Sequence, residues 1–146
     1  MAILDRERLT VYPRIFVVLY VVIGGWWILS GPGLLDRNGK PVGGDFVTFY
    51  GASALLQEGA PEALFDIERI HEAEKEGIGE EVERFAWHYP PPAMLLVYPL
   101  AWAPYGVALA LWLAGSLIAY GAVVRAIDRD AISMGLALAF PGLFQN

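Results

Sequence analysis

The 146-residue chain has no cysteine, which excludes disulfides and thiolate metal sites and leaves the redox compartment open. It has two histidines, His71 and His88, seventeen residues apart and without the paired His/Cys spacing of a dedicated metal site. A P-loop, a dinucleotide fingerprint and a Gly-x-Ser-x-Gly elbow are also missing. Lys and Arg number 10 against 16 Asp and Glu, a net charge of −6, and are not clustered as nucleic-acid binding requires. Charge is wholly absent from Ala93 to Val124, 32 consecutive residues. About 18 uncharged apolar residues already suggest a bilayer span.

What is present fits a membrane protein. Hydrophobic residues make up 56% of the chain and mean hydropathy is +0.45. Twelve of the sixteen acidic residues lie between Asp36 and Glu83, whereas Arg6, Arg8 and Arg14 precede the first apolar run and Arg125 and Arg129 follow the long one. Lys and Arg beside span ends favour the cytoplasmic side. Both short flanks are therefore expected inside and the acidic loop outside, in a bacterial plasma (inner) membrane.

The expected fold class is an all-α membrane protein. It has two complete transmembrane helices, the start of a third, and a long external loop carrying short amphipathic helices. Residues 1–14 read as a cytoplasmic tail and 15–30 as the first span, with Tyr12, Trp26 and Trp27 as interfacial anchors and Ser30-Gly31-Pro32-Gly33 as its stop. A secretory signal peptide is the rival reading of this run, although Ile28 and Ser30 do not make a small-residue cleavage site. Residues 31–92 form the loop, with juxtamembrane helices over 45–58 and 66–76. Asp45 is placed to cap the first of these, Gly59 to end it, and Gly77 to follow the second. The run Ala93–Val124 would stretch roughly 48 Å as one helix, too long for a core of about 30 Å. Pro99 and Pro104 divide it into an interfacial or re-entrant helix over 93–103 and a second span over 105–124. Residues 125–130 make a cytoplasmic turn, and 131–146 begin a third span, with Pro141-Gly142 breaking or kinking it.

Among residues able to do chemistry, Asp45 stands out as a lone carboxylate between Gly44 and Phe46 in an aromatic neighbourhood. Such a group at a membrane surface can take a proton from an acceptor hydroxyl; equally, it is an ordinary helix cap. The Glu72, Glu74, Glu76, Glu80, Glu81, Glu83 series reads as a solvated face, and most of the Trp and Tyr residues as an interface belt.

Ordered short motifs add to this. Gly44-Asp45-Phe46 is followed by Tyr50 and Ala52, then Leu55-Leu56-Gln57-Glu58-Gly59. Tyr89-Pro90-Pro91-Pro92, Tyr98-Pro99-Leu100-Ala101 and Trp112 come next. From Arg14 onward the chain resembles the N-terminal part of glycosyltransferase family 87, polytopic GT-C fold enzymes. The resemblance implies transfer of a hexose, mannose in the first instance, from a polyprenyl-phosphate donor to a lipid or glycan acceptor, with inversion and without a nucleotide sugar; the residues themselves predict no metal site. It puts Asp45 in the place of the general base. Tyr50, His88 and Tyr89 are candidate substrate contacts, His88 near the lipid phosphate or simply as a fixed loop histidine. Such enzymes have around ten spans, so a chain of this length is expected to be inactive alone.

The expected partners are membrane lipid and, in the alternative reading, other membrane-protein subunits. In that alternative the chain is a non-catalytic multi-helix subunit packed against a larger respiratory or photosynthetic assembly. The small residues Ala108, Gly115, Ser116, Ala119 and Ala122 of the second span would permit close helix contact. No nucleic acid is expected.

Overall fold

The computed structural model describes residues 5–79 and 81–140. Among these every regular element is helical, apart from an isolated antiparallel bridge between Leu35 and Pro41. Two compact units are present, one made of residues 1–29 and 113–146 and the other of residues 30–112.

The first unit holds α1 (Arg6–Leu29), the later part of α5 (Tyr105–Ile127), and α6 (Ala131–Leu138). Helices α1 and α5 are each long and apolar enough to cross a membrane. The core helix of a soluble protein passes the same test, but its apolar side chains are buried. Here Leu29 is 85% exposed and Ile118 72% exposed, surface that water disfavours and lipid accepts. Helix α1 begins at Arg6, nine residues before the Ile15 expected from hydropathy. Asp5 explains the early start: its carboxylate accepts from the Arg8 N–H at 2.8 Å, so the basic tail is already helical. Arg6 reaches Asp130 at 3.3 Å, and Pro13 packs beside Gly135. Asp130 caps α6 by accepting from the Ile132 N–H at 3.0 Å. This helix stops at Leu138, shorter than the apolar run predicts. The residue before a proline disfavours the helical region, and Phe140 precedes Pro141. The rest of the expected third span, with Pro141-Gly142, lies outside the described residues.

The second unit is built around α2 (Phe46–Gln57). Its sequence is apolar nearly all round, and such a helix belongs in an interior rather than on a surface. Phe46, Val47, Thr48, Gly51, Ala52, Ser53 and Leu55 are all buried. Gly59, at φ 77°, turns the chain out of the helix, and the Ala60 N–H donates to the Leu55 carbonyl. A 3₁₀ turn, Pro61–Phe65, leads into α3 (Ile67–Ile78). Asp66 caps α3 with one carboxylate oxygen, 3.0 Å from the Glu68 N–H and 3.3 Å from that of Arg69. The helix ends at Gly79, in the left-handed region, and not at Gly77. Gly77 stays helical, and a side chain there would collide with the Tyr50 ring, 2.7 Å from the position of its Cβ.

Pro90-Pro91-Pro92 opens α4 (Pro92–Val97); a 3₁₀ turn over Leu100–Trp102 follows, and Pro104 starts α5. One buried hydroxyl holds this segment. Ser53 Oγ donates to the Tyr98 carbonyl at 2.7 Å and accepts from the Ala101 N–H at 2.8 Å. Gln57 adds a second bond to the same carbonyl at 3.0 Å. Two apolar cores result. Leu55, Leu64, Ile70, Trp87 and Val97 form one, and Phe46, Val47, Ile78, Tyr105 and Leu109 form the other.

Candidate active site

Asp45 enters the structure through an unusual turn. Gly43 and Gly44 have φ of 95° and 54°, conformations that L side chains rarely adopt. A Cβ on Gly43 would also stand 2.7 Å from a methyl of Leu109. The two glycines thus let the chain double back against α5 and deliver Asp45 at the head of α2. There its backbone is already helical (φ −60°, ψ −11°), and its side chain accepts no capping hydrogen bond. The capping role weighed for Asp45 is therefore not the one its carboxylate performs. The group is exposed and points its acceptor capacity elsewhere.

It lines a cleft of about 320 Å³ together with Thr48, Arg84, Phe85, Ala86, His88 and Tyr89. One wall is the first turn of α2; the other is the extended segment that returns toward α4. His88 Nδ1 lies 2.6 Å from the Ala86 carbonyl, so that nitrogen carries a proton and donates. The second ring nitrogen, Nε2, is left as the one that can meet a ligand. Arg84 sits at the rim with Nη1 3.1 Å from Glu68 Oε1. Tyr89 stacks edge-on against Phe49 and Trp87, at centroid separations of 4.9 and 5.1 Å.

Of the four residues singled out from the sequence, Asp45, His88 and Tyr89 share this cleft. Tyr50 does not line it. Its hydroxyl donates to the Ala103 carbonyl at 3.0 Å and its ring packs on Tyr105, so it braces the entry to α5. Thr48 and Arg84 were not foreseen. Thr48 lies one helical turn after Asp45, a spacing that the sequence does show.

Behind the cleft lies a buried carboxylate. Glu74 is 0% exposed, so the reading of the glutamate series as a solvated face fails at this position. The cause is helical spacing, which turns Ile70, His71, Glu74 and Ile78 of α3 onto the face that packs on α2. Glu74 Oε1 accepts from the Thr48 hydroxyl at 3.0 Å and Oε2 from the Phe85 N–H at 3.4 Å. His71 Nδ1 is 3.6 Å from Oε2 and has no hydrogen-bond partner among the described residues. Burial pushes the Glu74 acid above the ordinary glutamate range, against the opposing pull of Thr48, the Phe85 backbone and His71. Glu80, in the same series, lies outside the described residues. No group of three or more His, Asp and Glu side chains able to hold a metal ion occurs among the described residues.

Comparison with known proteins bears on one part of this arrangement. No curated protein and no solved structure matches the chain. The sequence model of glycosyltransferase family 87 matches residues 87–146, under half of the chain. The match takes in His88 and Tyr89 of the cleft, the proline run, α4 and all of α5; Asp45, Thr48 and Glu74 precede it. Over residues 87–146 the chain is similar to glycosyltransferase family 87, and its two long apolar helices accord with a membrane protein of that kind.

Proposed function

We propose that the chain is part of a membrane-embedded GT-C glycosyltransferase that moves a hexose, mannose in the first instance, from a polyprenyl-phosphate donor to a lipid or glycan acceptor. The observation that carries the reading is the cleft in which Asp45 faces Arg84, His88 and Tyr89, with the family match beginning on the cleft's returning wall. In this reading Asp45 Oδ takes the proton of the acceptor hydroxyl as its oxygen bonds to the anomeric carbon. The carbon–oxygen bond to phosphate breaks on the opposite face, and polyprenyl phosphate leaves with the electron pair. In this reading the Arg84 guanidinium and the His88 ring, both of which line the cleft, receive the leaving phosphate's charge. Tyr89 offers a ring face or its hydroxyl to the sugar.

Asp45 suits the base role because nothing in α2 occupies its oxygens and because it is open to an acceptor. The acidic segment that carries it lies, in this reading, on the external side of a bacterial inner membrane, with the basic N-terminal tail in the cytoplasm. The exposed apolar side chains of α1 and α5 face lipid. The family match weighs toward the transferase and against a non-catalytic packing subunit.

Replacing Asp45 with Asn in the full-length protein tests the reading. Transfer of radiolabelled mannose from polyprenyl-phosphate mannose in native membranes is expected to be abolished while the protein still accumulates and folds. Transfer at the parental rate would remove Asp45 from the mechanism.

A further inference from the structure

Glu74 is not in the cleft, yet it touches both of its walls. Thr48, which its first carboxylate oxygen holds, is one turn from Asp45 on α2. Phe85, whose N–H its second oxygen holds, sits between Arg84 and the Ala86 carbonyl that fixes the His88 ring. We propose that Glu74 is a positioning residue that sets the separation between the Asp45 wall and the Arg84–His88 wall by tying Thr48 to the Phe85 backbone. The inference rests on the reading of Asp45 as the base, because it assigns Glu74 the task of holding that carboxylate opposite its partners.

The packing supports a dedicated tie rather than a buried accident. A Cβ on Gly51 would stand 3.2 Å from Glu74 Cγ and from its backbone nitrogen, so α2 lacks a side chain where Glu74 passes under it. The groups that face Glu74 come from three elements: Thr48 from α2, His71 from its own helix α3, and the Phe85 N–H from the returning segment. Two of these are donors aimed at separate oxygens, a geometry that one carboxylate bridges and an apolar side chain of the same volume does not.

Reach and charge make opposite demands on substitutions, which gives the test. Gln keeps the length of the side chain: its amide oxygen can accept from the Phe85 N–H while its NH₂ donates to the Thr48 oxygen. Asp keeps the charge but is one methylene shorter and cannot span both partners. Leu fills the volume and makes neither bond.

The experiment uses the full-length protein with polyprenyl-phosphate mannose as donor, alongside hydrogen exchange of the peptide containing the Phe85 amide. E74Q is expected to keep kcat within threefold of the parent. E74D and E74L are expected to lose at least tenfold in kcat with donor KM changed less than threefold. Exchange at Phe85 should accelerate at least tenfold in E74D and E74L and not in E74Q. If E74L does not fold, the order of E74Q and E74D decides alone. E74D outperforming E74Q would overturn the tie in favour of a charge role, and E74D with parental turnover and parental Phe85 exchange would overturn it outright. Should D45N retain transfer, the base assignment fails while the Phe85 exchange data still judge the tie.

Discussion

A methyl group on Gly51 would meet Glu74 at two points, Cγ and the backbone nitrogen, each 3.2 Å away. This is tighter than ordinary van der Waals contact, and one of the two atoms is main chain. Helices α2 and α3 therefore touch through a glycine, and Gly77 does the same for Tyr50 from the other side.

Overpacking follows from any side chain at that point. Gly51→Ala is expected to destabilise the protein by about 1–3 kcal/mol, although alanine is the better helix former. Gly106, in the first turn of α5, has nothing within 4 Å of its Cβ position, so Gly106→Ala is expected to be neutral or stabilising by about 0.5–1 kcal/mol. Thermal midpoints of the two variants in the same detergent check the opposite signs.

Removing the Ser53 hydroxyl orphans a donor. Ser53→Ala leaves the Ala101 N–H without its bond, while the Tyr98 carbonyl keeps the one from Gln57. A cost of about 1–3 kcal/mol is expected. Hydrogen exchange should localise it to the Leu100–Trp102 turn, with little change in α3.

The acid of Glu74 is raised by burial, so the folded state binds its proton more readily than the unfolded chain does. Stability from this group is therefore highest at low pH and declines as pH rises from the ordinary glutamate range through the raised folded value. Glu74→Gln has no such proton. The thermal midpoint of E74Q relative to the parent should increase as pH goes from about 4.5, an ordinary carboxylate value, to neutrality. A difference that is flat across this interval, or that runs the other way, refutes the prediction.

Tryptophans separate lipid-facing from packed surface. Trp102 is 71% exposed, with Tyr98 as its ring neighbour, whereas Trp87 is 6% exposed within an apolar core. In variants that retain a single tryptophan and are reconstituted into vesicles, brominated lipid is expected to quench Trp102 strongly and Trp87 weakly.

Hydropathy and charge made the all-helical class and the two long apolar helices legible, because lipid solvation acts on whole segments. Asp45 drew notice through its isolation among aromatic residues. Glu74 did not, since in sequence it is one of six glutamates in a polar stretch, and only the α2 face opposite it distinguishes it. Arg84 has no distinguishing sequence context, because its place at the cleft depends on a return path with no periodic pattern. The bond from the Tyr50 hydroxyl to the Ala103 carbonyl could not be read from the sequence, because that reach is set by tertiary packing.

The Tyr105 hydroxyl donates to the Val42 carbonyl at 2.7 Å, and Phe46 packs against the rings of Tyr105 and Trp112 at 5.4 and 6.1 Å. Asp45 lies between these two anchor points in sequence. Its elevation is thus indexed to the opening turns of α5 and does not float with the length of the loop. Residues can be added or removed around Arg37–Lys40 without moving the carboxylate up or down, whereas sliding the opening turns of α5 by one turn would carry it about 5 Å along the helix axis. A phenol and two aromatic rings serve here as a ruler.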